Sequence, residues 1–148
     1  MTLPESDWIL QHTQHLLDSF HYWTGRSLLE VSGNEYDRAQ QLFEAPFALM
    51  SHNTEADPIF NYGNRRALLQ FGYTWSEFTQ LPSRYSAEPI AQEERSALLA
   101  ASRSQGIIEN FNAVRIDRWG KRFTIRNGIL WNLLDEDGIY RGQAAVYA

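Results

Sequence analysis

The sequence predicts an α+β fold: a five-stranded antiparallel sheet with short helices on one face, preceded by two N-terminal helices. Two stretches carry that expectation. Residues 58–81, PIFNYGNRRALLQFGYTWSEFTQL, run from a short apolar strand through Gly63-Asn64 into two short capped helices. Residues 121–133 alternate, with Phe123, Ile125, Ile129, Trp131 and Leu133 apolar at the period of two that marks a half-buried strand.

The elements follow in order. Residues 4–24 read as a helix, with Pro4 in the first turn, Glu5 and Asp7 at the positive end of the dipole, and Gly25 as the stop. Ile9, Leu16, Phe20 and Trp23 recur at helical spacing with Leu17 beside them. Asn34 to Glu44 gives a second helix, separated by Pro46 from a strand over Phe47 to Ser51. The next strand holds Ile59, Phe60 and Tyr62, and the helix after it carries Ala67, Leu68 and Phe71 on one face until Gly72 ends it. Thr74 caps another short helix, with Glu77 completing a capping box. SRYSAEPIAQ reads as a loop, and residues 91–104 as a helix with Ala91, Leu98 and Ala101 on a face and Leu99 nearby. Three strands close the chain: 107–117, 121–133 and Ile139 to Tyr147, joined by turns at Asp117–Gly120 and Asp135–Gly138.

The composition narrows the function. At 148 residues the chain is one domain's worth, 43% apolar and 14% aromatic, hence globular and large enough to need no metal or disulfide for stability. A net charge of −5 with scattered arginines argues against nucleic acid as a partner. Cysteine is absent, which removes thiol catalysis, disulfides, Cys-ligated zinc and covalent flavin–cysteinyl chemistry. The charged first twenty residues are no signal peptide, and no apolar run approaches the ~20 residues that span a bilayer. The expectation is a cytoplasmic protein with no membrane partner.

Strand, capped helix, glycine, capped helix and proline in that order resemble the start of a PAS-type sensor domain. The stretches HTQHLLDSFHYWTGRSLL, SHNTEADPIFNYGNRRAL, LPSRYSAEPI and VRIDRWGKRFTIRNGILWNLLDEDGIYRGQAAV resemble the MEKHLA family, a PAS-like group, over nearly the whole chain. The resemblance implies an N-terminal helical cap over 1–45 and a PAS-like domain over 46–148. It also implies a small pocket between the sheet and the short helices. Apolar walls are expected from Leu49, Phe60, Leu68, Phe71, Trp75, Phe78, Phe123, Ile125, Ile129 and Trp131. Polar groups to orient a ligand are expected from Asn64, Arg84, Tyr85, Arg115 and Asn127. Asn127 shares the phase of Phe123, Ile125 and Ile129, so it either orients a ligand or satisfies a neighbouring loop backbone.

Sites for chemistry are sparse. His12 and His15 lie three apart on a helix, a chelating spacing without the glutamate of a His-Glu-x-x-His motif, so packing explains them better than a metal. Ser51-His52 with Asp57 invites a triad, but adjacent strand residues point to opposite faces. Asp135, Glu136 and Asp137 read as a solvated turn. Residues 90–105, where haem-binding PAS domains carry their axial histidine, contain none. The expectation is therefore a stand-alone sensory or regulatory module, not an enzyme, binding an unidentified small molecule, a signalling protein or both, with no haem, covalent flavin or metal. The N-terminal stripe suits a homodimer interface or a fold-back onto its own sheet. A small enzyme using the same pocket and a structural homodimer with a filled core are the competing expectations.

Overall fold

The computed structural model describes residues 2–148. The chain runs through α1 (Asp7–Thr24), α2 (Glu35–Phe43), β1 (Ala48–His52), β2 (Phe60–Gly63), α3 (Arg65–Phe71) and α4 (Trp75–Phe78). Two 3-10 turns, Ser83–Ser86 and Pro89–Ala91, lead into α5 (Gln92–Gln105), then β3 (Ile107–Ile116), β4 (Arg122–Leu134) and β5 (Tyr140–Tyr147). The strands form one sheet in the order β2-β1-β5-β4-β3, each neighbouring pair antiparallel. The α+β architecture expected from the sequence is the one observed.

Local chemistry explains most boundaries. Ser6 Oγ accepts from Ile9 N, so α1 starts at Asp7 and not at Pro4. Asn34 with Asp37, and Thr74 with Glu77, form complete capping boxes on α2 and α4. Gly72 ends α3 at φ 84°, a left-handed conformation that costs other residues a Cβ clash. The segment read as a plain loop, SRYSAEPIAQ, is instead two short helical turns, and Ser86 Oγ on Ser83 O (2.7 Å) tightens the first.

The alternation of β4 does not stay on one face. Asn127 sits at φ 53° and Asn110, on the facing strand, at φ 56°, and the β3–β4 register shifts on both sides of Phe111. Asparagine tolerates this backbone better than most residues. Gly128 fits beneath the Phe111 ring, where a Cβ would collide with it. The irregularity sends Ile125 and Leu130 into the layer under α5, while Trp131 and Leu133 pack under α1. Asn127 itself is exposed, its N–H donating to Asn112 Oδ1 at 3.2 Å. The shared phase expected for Phe123, Ile125, Asn127 and Ile129 is thus corrected: one irregular residue reverses the strand.

The sheet therefore has two covered faces. On one, Leu16 and Phe20 of α1 pack with Leu42, Leu49, Tyr62, Trp131, Leu133 and Val146. Polar stitches hold α1 in place: Ser19 Oγ donates to Leu134 O at 2.9 Å, and Trp23 Nε1 donates to Asn132 O at 2.9 Å. The N-terminal stripe folds back onto its own sheet. On the other face, α3, α4 and α5 cover an aromatic cluster in which Phe60 and Phe78 stack at 4.2 Å and Phe71 meets Phe123 edge-on at 5.1 Å. No helix among the described residues is long and apolar enough to cross a membrane.

Candidate ligand-binding site

Between α5, the Ser83–Ser86 turn and the sheet lies a cavity of about 80 Å³. Its apolar wall comes from Met50, Phe60, Phe71, Phe111, Ile125 and Leu130, with Leu98 and Leu99 of α5 above them. Its polar end is His52, Ser83, Ser86, Arg95, Arg115 and Gln143. Arg95, Leu98, Leu99 and Ser102 follow helical spacing of three and four, so one face of α5 delivers a cation and two leucines to the same space. Asn132, whose Nδ2 donates to Arg103 O at 3.1 Å, ties that helix to β4.

A continuous hydrogen-bond chain orders the polar end. Gln143 Nε2 donates to Leu99 O at 2.9 Å, leaving its Oε1 to accept from His52 Nε2 at 3.0 Å. His52 Nδ1 then accepts from the Ser83 hydroxyl at 3.2 Å, and Ser83 Oγ in turn accepts from an Arg95 terminal N–H. This direction of donation satisfies every atom with a neutral imidazole. Burial pushes the His52 pKa down to about 4, against a raising contribution from the Gln143 hydrogen bond, so the ring is uncharged near neutrality.

The electrostatics centre on two arginines, both more than nine-tenths buried. Arg115 pairs with Glu94 at 2.9 Å and also donates to Val114 O at 2.9 Å. Among the described residues Arg95 forms no ion pair, and the Ser83 contact is its one hydrogen bond. Desolvation, and then the adjacent Arg115, hold its pKa below that of an ordinary arginine.

Of the residues expected at the site, Phe60, Phe71, Arg115 and Ile125 line this cavity. Leu68 and Phe78 are buried in the aromatic cluster beneath it, and Phe123 packs on Phe71 and Tyr147 at the sheet's end. Leu49, Ile129 and Trp131 lie on the α1 side, the consequence of strand alternation and of the irregularity at Asn127. Trp75 is wedged between the two layers, edge-on to Tyr62 at 5.5 Å. Asn64 is a fully buried cap: its Oδ1 accepts from Leu49 N and Ala67 N, and its Nδ2 donates to Phe47 O. Arg84 and Tyr85 face outward, the guanidinium paired with Asp57 at 3.0 Å and stacked 4.4 Å from the tyrosine ring.

Sequence reasoning missed His52, Ser83, Arg95 and Gln143. The signal for Arg95 was present: it is three and four residues before Leu98 and Leu99, but an apolar count skips a charge on the inner face. Ser51 and His52 do point apart, as expected. Ser51 Oγ accepts from His12 Nε2 at 2.8 Å beneath α1 and donates to Asn61 Oδ1 at 2.5 Å. No group of three or more His, Asp or Glu side chains among the described residues is arranged to hold a metal.

The MEKHLA domain profile matches residues 10–148, whereas no curated protein matches. Among solved structures, the PAS domain of a protein from Colwellia psychrerythraea aligns with a TM-score of 0.65 at 15% identity, covering 76% of this chain and 93% of that one. The light-state dimer of the fungal blue-light photoreceptor Vivid aligns with a TM-score of 0.63 at 14% identity, over 100% of this chain and 98% of that one. The LOV domain of the EL346 blue-light activated histidine kinase from Erythrobacter litoralis gives 0.56 at 23% identity, over 71% and 96%. Family profile, strand order and helical layer agree, and the chain belongs to the MEKHLA domain family, with the fold of PAS and LOV sensor domains.

Proposed function

We propose that this protein is a sensory module whose signal is a small molecule bound in the cavity between α5 and the sheet. One observation carries the reading: a space of about 80 Å³ with an ordered polar end, in a layer whose other side chains are close-packed. A core evolved only for stability would close it with larger side chains, which argues against the filled structural homodimer. Each buried water needs roughly 10–15 Å³ of such space, so the cavity has room for about six non-hydrogen atoms. A cavity of about 80 Å³ favours a ligand smaller than the ring system of the flavin analogue named for one LOV structure of similar fold.

A catalytic reading starts from the Ser83–His52 contact, which has the look of a nucleophile and its base. Three features weaken it. The group on the far nitrogen is Gln143, which carries no charge to stabilise an imidazolium. Burial holds His52 at a pKa of about 4, too low for a base at neutral pH. Ser83 Oγ is already engaged by Arg95. Binding, not turnover, is the function these groups support.

Occupancy then reaches a second protein, or a second copy of this chain, through elements that touch the site. Vivid is described as a light-state dimer, which supports a homodimer as one output, with a signalling protein as the other. The inner stripe of α1 is occupied by its own sheet, so any contact there uses outer residues such as Trp8 and Tyr22.

The test is an amide NMR screen of the full chain with fragments of up to about six to eight non-hydrogen atoms, charged and uncharged. At least one fragment should shift the resonances of His52, Leu98, Leu99 and Gln143 together. A screen in which none does, or in which shifts fall only outside α5 and β5, contradicts the proposal.

A further inference from the structure

We infer that the cavity takes a small monocarboxylate with a short apolar tail, its carboxylate on the Arg95 guanidinium and its tail against Leu98, Leu99 and Phe111. The inference rests on the reading of the cavity as a ligand site and adds the chemical class of the ligand.

Charge balance is the first support. Three arginines lie near one another here: Arg95 and Arg115 in the cavity wall, and Arg84 facing outward behind them. Two carboxylates answer them, Asp57 at 3.0 Å from Arg84 and Glu94 at 2.9 Å from Arg115. One positive charge, that of Arg95, is left without an ion-pair partner among the described residues, and like Arg115 the residue is buried, at 8% exposed. A guanidinium away from water costs several kcal/mol unless it is paired and hydrogen-bonded. A single anion of one charge corrects this imbalance; a dianion would reverse it.

Geometry is the second. A guanidinium presents five N–H donors in a planar fork matched to a carboxylate. Arg95 uses one contact, to Ser83 Oγ. That serine is held by His52, and His52 by Gln143, so the guanidinium is anchored at one edge with the rest of the fork free. The low pKa of His52 keeps that ring uncharged near neutrality, so the unpaired cation an anion meets beside it is Arg95.

The walls supply the third. Beyond the polar end the lining is aliphatic and aromatic, which gives chloride or inorganic phosphate nothing to bury. A four-carbon acid such as butyrate, with six non-hydrogen atoms, matches the available space of about six.

The experiment is a calorimetric titration of the full chain with butyrate, butyramide and n-butylamine, repeated on Arg95→Gln and Arg84→Gln. Butyrate should bind at least about tenfold more tightly than either isostere, the effect of one charge-assisted hydrogen-bonded pair. Arg95→Gln should lose about tenfold or more, and Arg84→Gln, whose guanidinium faces outward onto Asp57, should stay within about twofold. If Arg95→Gln does not fold, Arg95→Lys and the three-ligand series on the wild type decide the point. Equal binding of butyramide and butyrate overturns the carboxylate class while leaving the cavity reading intact. Chloride titrated in the same way and binding as tightly as butyrate overturns the apolar tail. Binding by no member of the series overturns the inference, and the fragment screen then decides whether the cavity reading falls with it.

Discussion

The two faces of this sheet are covered in opposite ways. Under α1 three buried polar atoms, Thr13 Oγ1, Tyr62 Oη and Trp131 Nε1, have no hydrogen-bond partner among the described residues, against one, Tyr147 Oη, in the other layer. Under α5 the polar atoms form a relay from Leu99 O to Arg95, and a cavity remains beside it. One face gives up hydrogen bonds to keep apolar density; the other gives up density to keep a charged group in place. On the proposed reading, stability and recognition are divided between the two sides of a single sheet.

The sharpest way to break that comparison is at Trp131, fully buried in the α1 layer and edge-on to Phe20 at 5.1 Å. Trp131→Ala should cost roughly 3–5 kcal/mol in urea denaturation. A loss below about 1 kcal/mol would mean that the α1 layer is not the stabilising one.

Acid tests both faces at once, because each buries a histidine. His12 lies under α1 with its pKa pushed down to about 3, chiefly by burial and then by His15, and His52 lies under α5 at about 4. Both are depressed from the ordinary 6.5, so the unfolded chain takes up protons that the folded one refuses. Stability is therefore full above about pH 6.5, falls as pH drops below it, and levels for His52 only under about pH 4. Between pH 7 and pH 5 each histidine should remove roughly 2 kcal/mol, measured by denaturant midpoint. Stability unchanged over that interval would show that neither ring is held neutral by burial.

The pivot between the faces is Asn127. Asn127→Val should cost about 1–2 kcal/mol, because a β-branched residue resists a φ of 53°. Asn127→Gly should be close to neutral. Equal effects of the two would remove the backbone explanation for the change of phase along β4.

The smallest expected change has the opposite sign. Arg95→Met should leave the ligand-free protein as stable as the wild type, or more stable by about 1 kcal/mol, since it removes a buried cation that has no ion pair. A marked loss would mean that Arg95 holds the fold together and is not held there for a ligand.

What the sequence disclosed follows from the range of the interactions involved. Capping boxes at Asn34–Asp37 and Thr74–Glu77 and the left-handed Gly72 act within four residues, so they could be read directly. The five-stranded antiparallel sheet followed from two N-terminal strands, a three-strand meander and the family resemblance, whereas the strand order came from the structure. The site was legible only in part: Phe60, Phe71, Arg115 and Ile125 were expected and line the cavity, while Leu49, Ile129 and Trp131 face away. For Ile129 and Trp131 the cause is the irregularity at Asn127, whose effect depends on Asn110 and Phe111 across the hairpin, while Leu49 follows the alternation of β1. Asn127-Gly128 was a visible hint, being a pair that favours bulges and turns. Arg95 was hidden differently, since periodicity counts apolar residues and a charge on an apolar face is the residue that breaks the pattern.

A crystal structure of the full chain grown with butyrate tests the central claim most directly. The account predicts carboxylate density against the Arg95 guanidinium, an alkyl tail between Leu98, Leu99 and Phe111, and an α1 layer packed without added density. Arg95 turned out to solvent, with Leu98 and Leu99 closing over an empty space, would contradict it.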